Sequence, residues 1–422
     1  MRFRRDESGQ MIVMLAISMT ALMAFMALAV DVGILFHVRR EVQIAADAAA
    51  MAGALDYHYN PTGSTARAAA IAAAAQNGVS NGSVNVTFPT SSSYGSPYTT
   101  GFVQAIVSVP NPTMFMRLFG MTSVNLVSSA VAGPGASQGC VWSLGRSGTG
   151  VSGSGDLTAT GCEIYDNSSS GTALDMTGGG SISAKQVGVT GGSIGSVNPR
   201  AITGMIPVTD PLASLTAPGG SSGTCTPAAS RRCNPSNTSG GSMNVPPGTY
   251  TSISNSGGGT MTLAGSYTIT GNLSNTRGNL ILGAGSYTIG GTLSNSGSLN
   301  LSAGQYVVEG GLQSSGSVTG NSVSFYTGGT TTLSGGVDLT APASGILIFQ
   351  AGGTVTILET GNMTLQGIVY APNAPLTVGG SGSSNVYADF VVGSLNITGT
   401  PQLQNYALLN HGTPLTKIVM VQ

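Results

Sequence analysis

Residues 253–312 read ISNSGGGTMTLAGSYTITGNLSNTRGNLILGAGSYTIGGTLSNSGSLNLSAGQYVVEGGL, and a repeat runs through them. Ile253-Ser254-Asn255, Leu273-Ser274-Asn275 and Leu293-Ser294-Asn295 stand twenty residues apart, and Leu312 follows Leu293 by nineteen. Tyr250, Tyr267, Tyr287 and Tyr306 recur alongside, in the contexts PPGTY, LAGSY, GAGSY and SAGQY. Each unit alternates apolar and polar residues for a few positions and then turns on Gly, Ser or Asn. A unit this short cannot bury its apolar face alone. The pattern therefore predicts an all-β, right-handed parallel β-helix in which coils stack with like residues aligned. Aligned Asn side chains can then bond in a ladder, while aligned Tyr and Leu fill the interior. A flexible Gly/Ser linker competes with this reading, but a linker has no reason to alternate Val, Ile, Leu and Tyr.

Working outward, Ser322 to Tyr326, Gly345 to Phe349, Thr354 to Ile357, Gly367 to Tyr370 and Asn385 to Val392 fit further coils. Similar units lie earlier, between Cys140 and Val189. Charge is scarce throughout: Arg277 is the one charged residue between Cys233 and Glu309. Over the 422 residues only 7% are charged, where ~25% is usual, and 64 are Gly, about twice the usual share. A net charge of -1 excludes a nucleic-acid binder driven by phosphate contacts. The 41% hydrophobic content excludes a charge-solvated disordered chain, and glycines without a three-residue period exclude collagen.

The N-terminus has a different character. Arg2, Arg4 and Arg5 precede twenty uncharged residues, Met11 to Val30, MIVMLAISMTALMAFMALAV. Twenty helical residues span ~30 Å, the thickness of a bilayer core, so a transmembrane helix is expected. The leading arginines favour a cytoplasmic N-terminus, although Arg39 and Arg40 lie beyond the far end of the span. Ala27-Leu28-Ala29 is an A-x-A site, which keeps a cleaved secretory signal open. Cleavage after Gly9 in the manner of a prepilin is the other processing route, against which stands Met14 where a Glu is usual. Leu35, Val38, Val42, Ala45, Ala49 and Ala52 then follow at steps of three and four. They extend one apolar stripe along a continuous helix to about Ala54. Such a stripe packs either on the chain's own domain or into a pilus-like bundle.

Taken together, ESGQMIVMLAISMTALMAFMALAVDVGILFHVRREVQIAADAAAMAGA resembles the N-terminal segment of TadG-like proteins of the Tad/Flp (tight adherence) pilus-assembly system. The shared elements are Gly9, the apolar run, Ala29-Val30-Asp31-Val32-Gly33, Arg39-Arg40, Gln43 and Ala45-Ala46-Asp47-Ala48-Ala49-Ala50. Related TadE-like pseudopilins carry a Glu inside the run, and this chain has none. The resemblance implies a single-span, non-catalytic envelope protein of the inner membrane, with its C-terminal domain outside the cytoplasm. It singles out Asp31, Arg39, Arg40 and Asp47 as assembly or membrane-boundary candidates. Asp31 is then a head-group-level boundary residue or a partner for a cation on another helix, and Asp47 is either solvated or paired across an interface. A second resemblance, to the β-helical passenger of some TadG-like proteins, rests on Cys162, Asn167-Ser168, Asp210-Pro211-Leu212 and Tyr370-Ala371-Pro372-Asn373.

Four segments are thus expected: a basic N-terminus over 1–10, a transmembrane and extended helix over 11–54, a small α+β subdomain over 55–137, and the β-helix over 138–422. In the subdomain, Ser64 or Thr65 is positioned to cap a second helix that Gly78 ends. Strands are predicted at 84–88, at 102–109 (stopped by Pro110 and Pro112) and at about 123–132 (ended by Gly133-Pro134-Gly135). Between the last two, Thr113 to Phe119 reads as a short helix turning at Gly120. A long helix over a small antiparallel sheet resembles a pilin in outline.

All four cysteines, Cys140, Cys162, Cys225 and Cys233, follow the span, and an even count outside the cytoplasm favours disulfides. Three connectivities are open. Cys140–Cys162, tying one coil to the next, with Cys225–Cys233, stapling CTPAASRRC, is the expected one. No C-x-x-C exists and no His lies near, so zinc is unsupported.

Catalytic patterns are thin, and neither a catalytic, a cofactor nor a metal site is expected. His37, His58 and His411 are scattered, and Gly191-Gly192-Ser193-Ile194-Gly195 lacks the strand-elbow-helix context of a nucleophile. Asp338 and Glu359, 21 apart, are the one acidic pair spaced to stack on adjacent coils. The partners expected are the cytoplasmic membrane, Tad/Flp pilus components, and a surface or glycan ligand of the β-helix, with no nucleic acid. A free-standing surface adhesin and a polysaccharide-processing β-helix enzyme are the alternatives.

Overall fold

The computed structural model describes residues 8–79, 83–89, 100–136, 138–220, 223–225, 233–359, 363–380, 384–409 and 415–421. Arg2, Arg4, Arg5 and His411 lie outside the described residues. The chain forms two units: residues 1–135 with 416–422, and residues 136–415.

In the first unit a single 52-residue helix, α1 (Ser8–Tyr59), is uninterrupted because no Pro falls within it. At ~1.5 Å per residue it is ~78 Å long. Its two halves differ sharply. The run Met11–Val30 projects apolar side chains that are exposed almost throughout. From Val42 onward, Ala45, Ala46, Ala49, Ala50 and Ala54 are buried against α2 (Gly63–Gln76) and the sheet. The predicted stripe therefore lies on the chain's own domain. Ala46 and Ala50 widen it, while Leu35 and Ala52 are only partly covered. Small residues let the two helices approach closely: a Cβ on Gly53 would press on the Ala66 carbonyl and the Ala70 methyl, both at 3.2 Å.

Helix α2 begins two residues earlier than the capping pattern suggested, with Thr62 at the N-cap and no side chain capping it. It ends as expected, at a left-handed Gly78. Strands β1 (Ser83–Thr87), β2 (Val103–Pro112) and β3 (Ser123–Ala136) are joined by Thr416–Met420 in the order β1-β2-β3-C-terminal strand. Three sequence-based expectations change here. Strand β2 continues through Pro110 and Pro112, because the described part of β1 reaches only to Ser108 and a residue without an N–H fits the edge left open beyond it. Strand β3 runs through Gly133-Pro134-Gly135, where the missing Cβ atoms make room for Phe102 and Val419. Residues 416–422, placed by the sequence reading in the β-helix, belong instead to this first unit.

The second unit is a β-solenoid of about 12 turns. From Ser236 to Thr340 each strand pairs in parallel with the third strand after it, so each of these coils contributes to three ladders. The repeat defines the register: Ile253-Leu273-Leu293-Leu312 and Asn255-Asn275-Asn295-Ser314 are aligned rows. The leucines are fully buried, and the amides form the expected ladder. Asn255 Nδ2 donates to Asn275 Oδ1 (2.9 Å), Asn275 Nδ2 to Asn295 Oδ1 (2.8 Å), and Asn295 Nδ2 to Ser314 Oγ (2.9 Å). The tyrosines form a column with Phe325, with ring centroids 6.2, 5.4, 5.2 and 5.6 Å apart. Tyr250 joins it although its backbone sits opposite Ile269 rather than Tyr267. Their hydroxyls stay satisfied by donating to turn carbonyls, Tyr306 to Ser302 at 2.6 Å for example.

The units between 139 and 203 do not precede the repeat in space. They stack after its last coils, with Phe390 opposite Val141 and Leu395 opposite Val151. The disulfide Cys140–Cys162 joins two neighbouring coils, and Cys225–Cys233 closes the short loop, both as expected.

Candidate functional site

Two places gather the residues that the sequence singled out. The first is the side of α1 one residue past the uncharged run. Asp31 is only 2% exposed. Its carboxylate accepts the backbone N–H groups of Met114 (3.1 Å), Phe115 (2.8 Å) and Met116 (2.6 Å). These donors open a 3₁₀ turn, Met116–Phe119, at the tip of the β2–β3 hairpin, and such leading N–H groups have no partner within their own turn. A carboxylate, acceptor-only with two oxygens, suits three converging donors. Gly120, left-handed at φ +84°, then reverses the chain. Asp31 therefore pins this hairpin to the helix.

Asp47 also finds its partner locally, accepting from Gln43 Nε2 at 2.7 Å on the same helix. Arg39 and Arg40 are exposed, as is His37, whose Nε2 lies 3.4 Å from Glu41.

The second place is the outer face of one solenoid ladder. Because the 139–203 coils close the stack, the chain must return along it from Thr203 to Ser236 before the repeat can begin. Twelve turns at ~4.8 Å need ~50 Å, and the 32 intervening residues reach ~105 Å when extended. The described parts of this strap can be followed by their contacts. A Cβ on Gly188 would strike Met205, and Asn167 clamps Val208 by donating to its carbonyl (2.7 Å) and accepting its N–H (2.8 Å). Tyr370 Oη donates to Asp210 at 2.8 Å, and Leu212 is buried with Trp142, Ile346 and Tyr370. Further on, Gly220 lies against Glu309 and Gly223 against Thr249.

The strap thus lies over an outward aromatic row. Phe349 stacks on Tyr370 with ring centroids 5.1 Å apart and meets Tyr326 at 5.2 Å with the rings tilted, and Trp142 lies 6.2 Å from Tyr165. Where it passes Leu215, Thr216 and Pro218, a groove of about 230 Å³ remains, in which Tyr326 and Phe349 sit among Gln305, Ser324 and Ser344. The sequence reading missed this strap. Its signal was present, since 204–235 holds five prolines and keeps no alternation. Asn167, Asp210 and Tyr370, quoted for a resemblance, are among the residues that hold it.

Among the described residues of the stack, Glu163, Asp166 and Asp389 are buried carboxyls. Burial pushes Asp389 up to about 8, against the opposing hydrogen bond from the Tyr406 N–H, and pushes Asp166 up to about 6. Burial, with the Asp210 carboxylate alongside, also holds the Tyr370 phenol well above its usual range. The acidic pair spaced for adjacent coils does not stack. Asp338 is flanked by Thr319 and Thr364, whereas Glu359 pairs with Gly380 in another ladder.

With this geometry described, comparison with known proteins adds two matches. Residues 9–56, all within α1, match the family described as Flp pilus-assembly TadE/G-like, so the chain carries a Tad domain at its N-terminus. Residues 247–408, the repeat through the last coils before the early units, match a domain of unknown function, DUF7305. No curated protein and no solved structure matches the chain.

Proposed function

We propose that this chain, whose N-terminal segment is a TadE/G-like Flp pilus-assembly domain, is a non-catalytic, single-span protein of pilus assembly that holds its solenoid outside the cytoplasmic membrane. The observation that carries the proposal is the exposed half of α1. An uncharged apolar run of twenty residues, none buried by the fold, sits inside the matched segment. In water that surface is strongly unfavourable, and a bilayer removes the cost. The helix is the anchor. The solenoid serves as an extended, nearly uncharged surface for contact with the pilus machinery or a surface ligand. Its ladder hydrogen bonds and buried rows let it fold without charge, which supports a structural or binding role.

Deleting the protein in a host that makes the corresponding filaments tests this. Loss of filaments, with the intact protein held in the membrane pellet after alkaline extraction, is the expected result. Normal filaments with reduced attachment would instead favour a free-standing adhesin. Filaments and attachment both unchanged would overturn both.

A further inference from the structure

We propose that the β2–β3 hairpin tip, Thr113 to Met121, is a second membrane contact that seats in the head-group region beside the anchor helix. The inference rests on the reading of Met11–Val30 as a span and adds to it a fixed attachment of the first unit to the bilayer surface.

Three observations carry it. The tip reads TMFMRLFGM, and its large apolar side chains point away from the protein. Leu118 is 81% exposed and Phe119 80%, with Met114, Phe115 and Met121 exposed as well. Elsewhere on the sheet and α2 most apolar residues turn inward onto α1, and the large exposed ones, Ile71, Val127 and Met420, lie apart from one another in sequence, whereas the tip gathers five exposed apolar residues within eight positions.

The second observation is position. The three hydrogen bonds to Asp31 tie the tip to the first residue after the uncharged run. One residue is ~1.5 Å along a helix, while the head-group zone on each side of the hydrocarbon is several ångströms deep. The tip therefore sits level with that zone whichever side of the membrane it lies on, and the apolar surface of the helix continues directly into that of the hairpin.

The third observation is composition. Two phenylalanines, a leucine and methionines around a single exposed cation, Arg117, match what interfacial elements use. Apolar side chains enter the acyl boundary while a guanidinium reaches lipid phosphate. Asp31 thereby gains a mechanical role. It satisfies the leading N–H groups of the turn internally, so fewer unpaired donors are carried into a water-poor zone.

The test uses the full-length chain in vesicles of phosphatidylcholine with an anionic lipid, carrying Leu118→Trp or, as a second variant, Phe119→Trp. Both positions are open, so neither change disturbs packing. The native Trp142 is 5% exposed, and the unsubstituted protein supplies its background. Flotation reports the anchor and indole fluorescence reports the tip. The expected result is that the protein floats and the added indole emits at shorter wavelength than in water. Lipids brominated near the top of the acyl chain should then quench most of its emission, and aqueous acrylamide little. If the protein floats but acrylamide quenches the added indole freely, the hairpin proposal falls and the anchor stands. A blue-shifted indole quenched by neither agent means the tip packs on protein, which overturns the proposal too. Failure to float removes both.

Discussion

Truncating Asn275 tests whether the amide ladder, rather than apolar filling alone, holds the coils in register. Asn275 is 1% exposed. Asn275→Ala removes the bond accepted from Asn255 (2.9 Å) and those donated to Asn295 (2.8 Å) and to the Ser298 carbonyl (3.1 Å). At ~1 kcal/mol net each these come to about 3 kcal/mol, with up to ~1 kcal/mol more for the small void. Asn255 keeps its amide donor satisfied through the Gly259 and Arg277 carbonyls, which holds the sum near the lower figure. Urea unfolding of the detergent-solubilised chain, followed by circular dichroism, reads the loss. Hydrogen exchange should localise it to the coils between about 255 and 300, because each coil contacts only its neighbours. Ser274→Ala, one residue away and facing outward, is expected to stay within ~0.5 kcal/mol. If Asn275→Ala costs no more than Ser274→Ala, or if protection falls evenly along the solenoid, the ladder argument is wrong.

Three further outcomes are expected. Tyr370→Phe removes a hydrogen bond to the Asp210 carboxylate, worth ~1.5–3 kcal/mol, and should speed protease cleavage within 204–220 while leaving the repeat coils protected; unchanged cleavage would show that the strap is held without it. Replacing both Cys140 and Cys162 by Ala opens a 22-residue link between neighbouring coils and should lower stability by about 3 kcal/mol, read from the urea midpoint. Asp389 keeps its proton in the fold up to about pH 8 but loses it near ~4 when unfolded, so the native state binds the extra proton between those values and stability falls as pH rises across that window. Asp389→Asn, which retains an acceptor for the Tyr406 N–H, should flatten that slope, and an unchanged slope between pH 5 and 8 would refute the assignment.

Much of the fold was legible because its signals are local. Ile253, Leu273 and Leu293 align because a repeat spacing directly sets a parallel register, and the same holds for the buried amides one turn-edge away. The Asp31 hairpin was only half legible. Thr113–Phe119 shows its short helix and Gly120 its turn, but the acceptor for the leading N–H groups lies more than eighty residues earlier, and nothing in either segment names the other. Asp338 and Glu359 failed in the opposite sense: their spacing equals a coil length, yet irregular coil lengths after Leu333 put them in different ladders.

Sequence alone determined what each segment is: an uncharged helix long enough to cross a bilayer, an alanine stripe that needs a close partner, and coils too short to fold singly. Tertiary structure decided who neighbours whom. A solenoid coil offers the same row of N–H and C=O groups above and below, so backbone pairing does not specify which coil comes next. That choice falls to long-range fits such as Phe390 on Val141 and Leu395 on Val151. Once 139–203 stacks behind the last repeat coils, the return strap over the aromatic row becomes unavoidable. The C-terminal strand pairs with β3, closing an edge of that small sheet that would otherwise stand open.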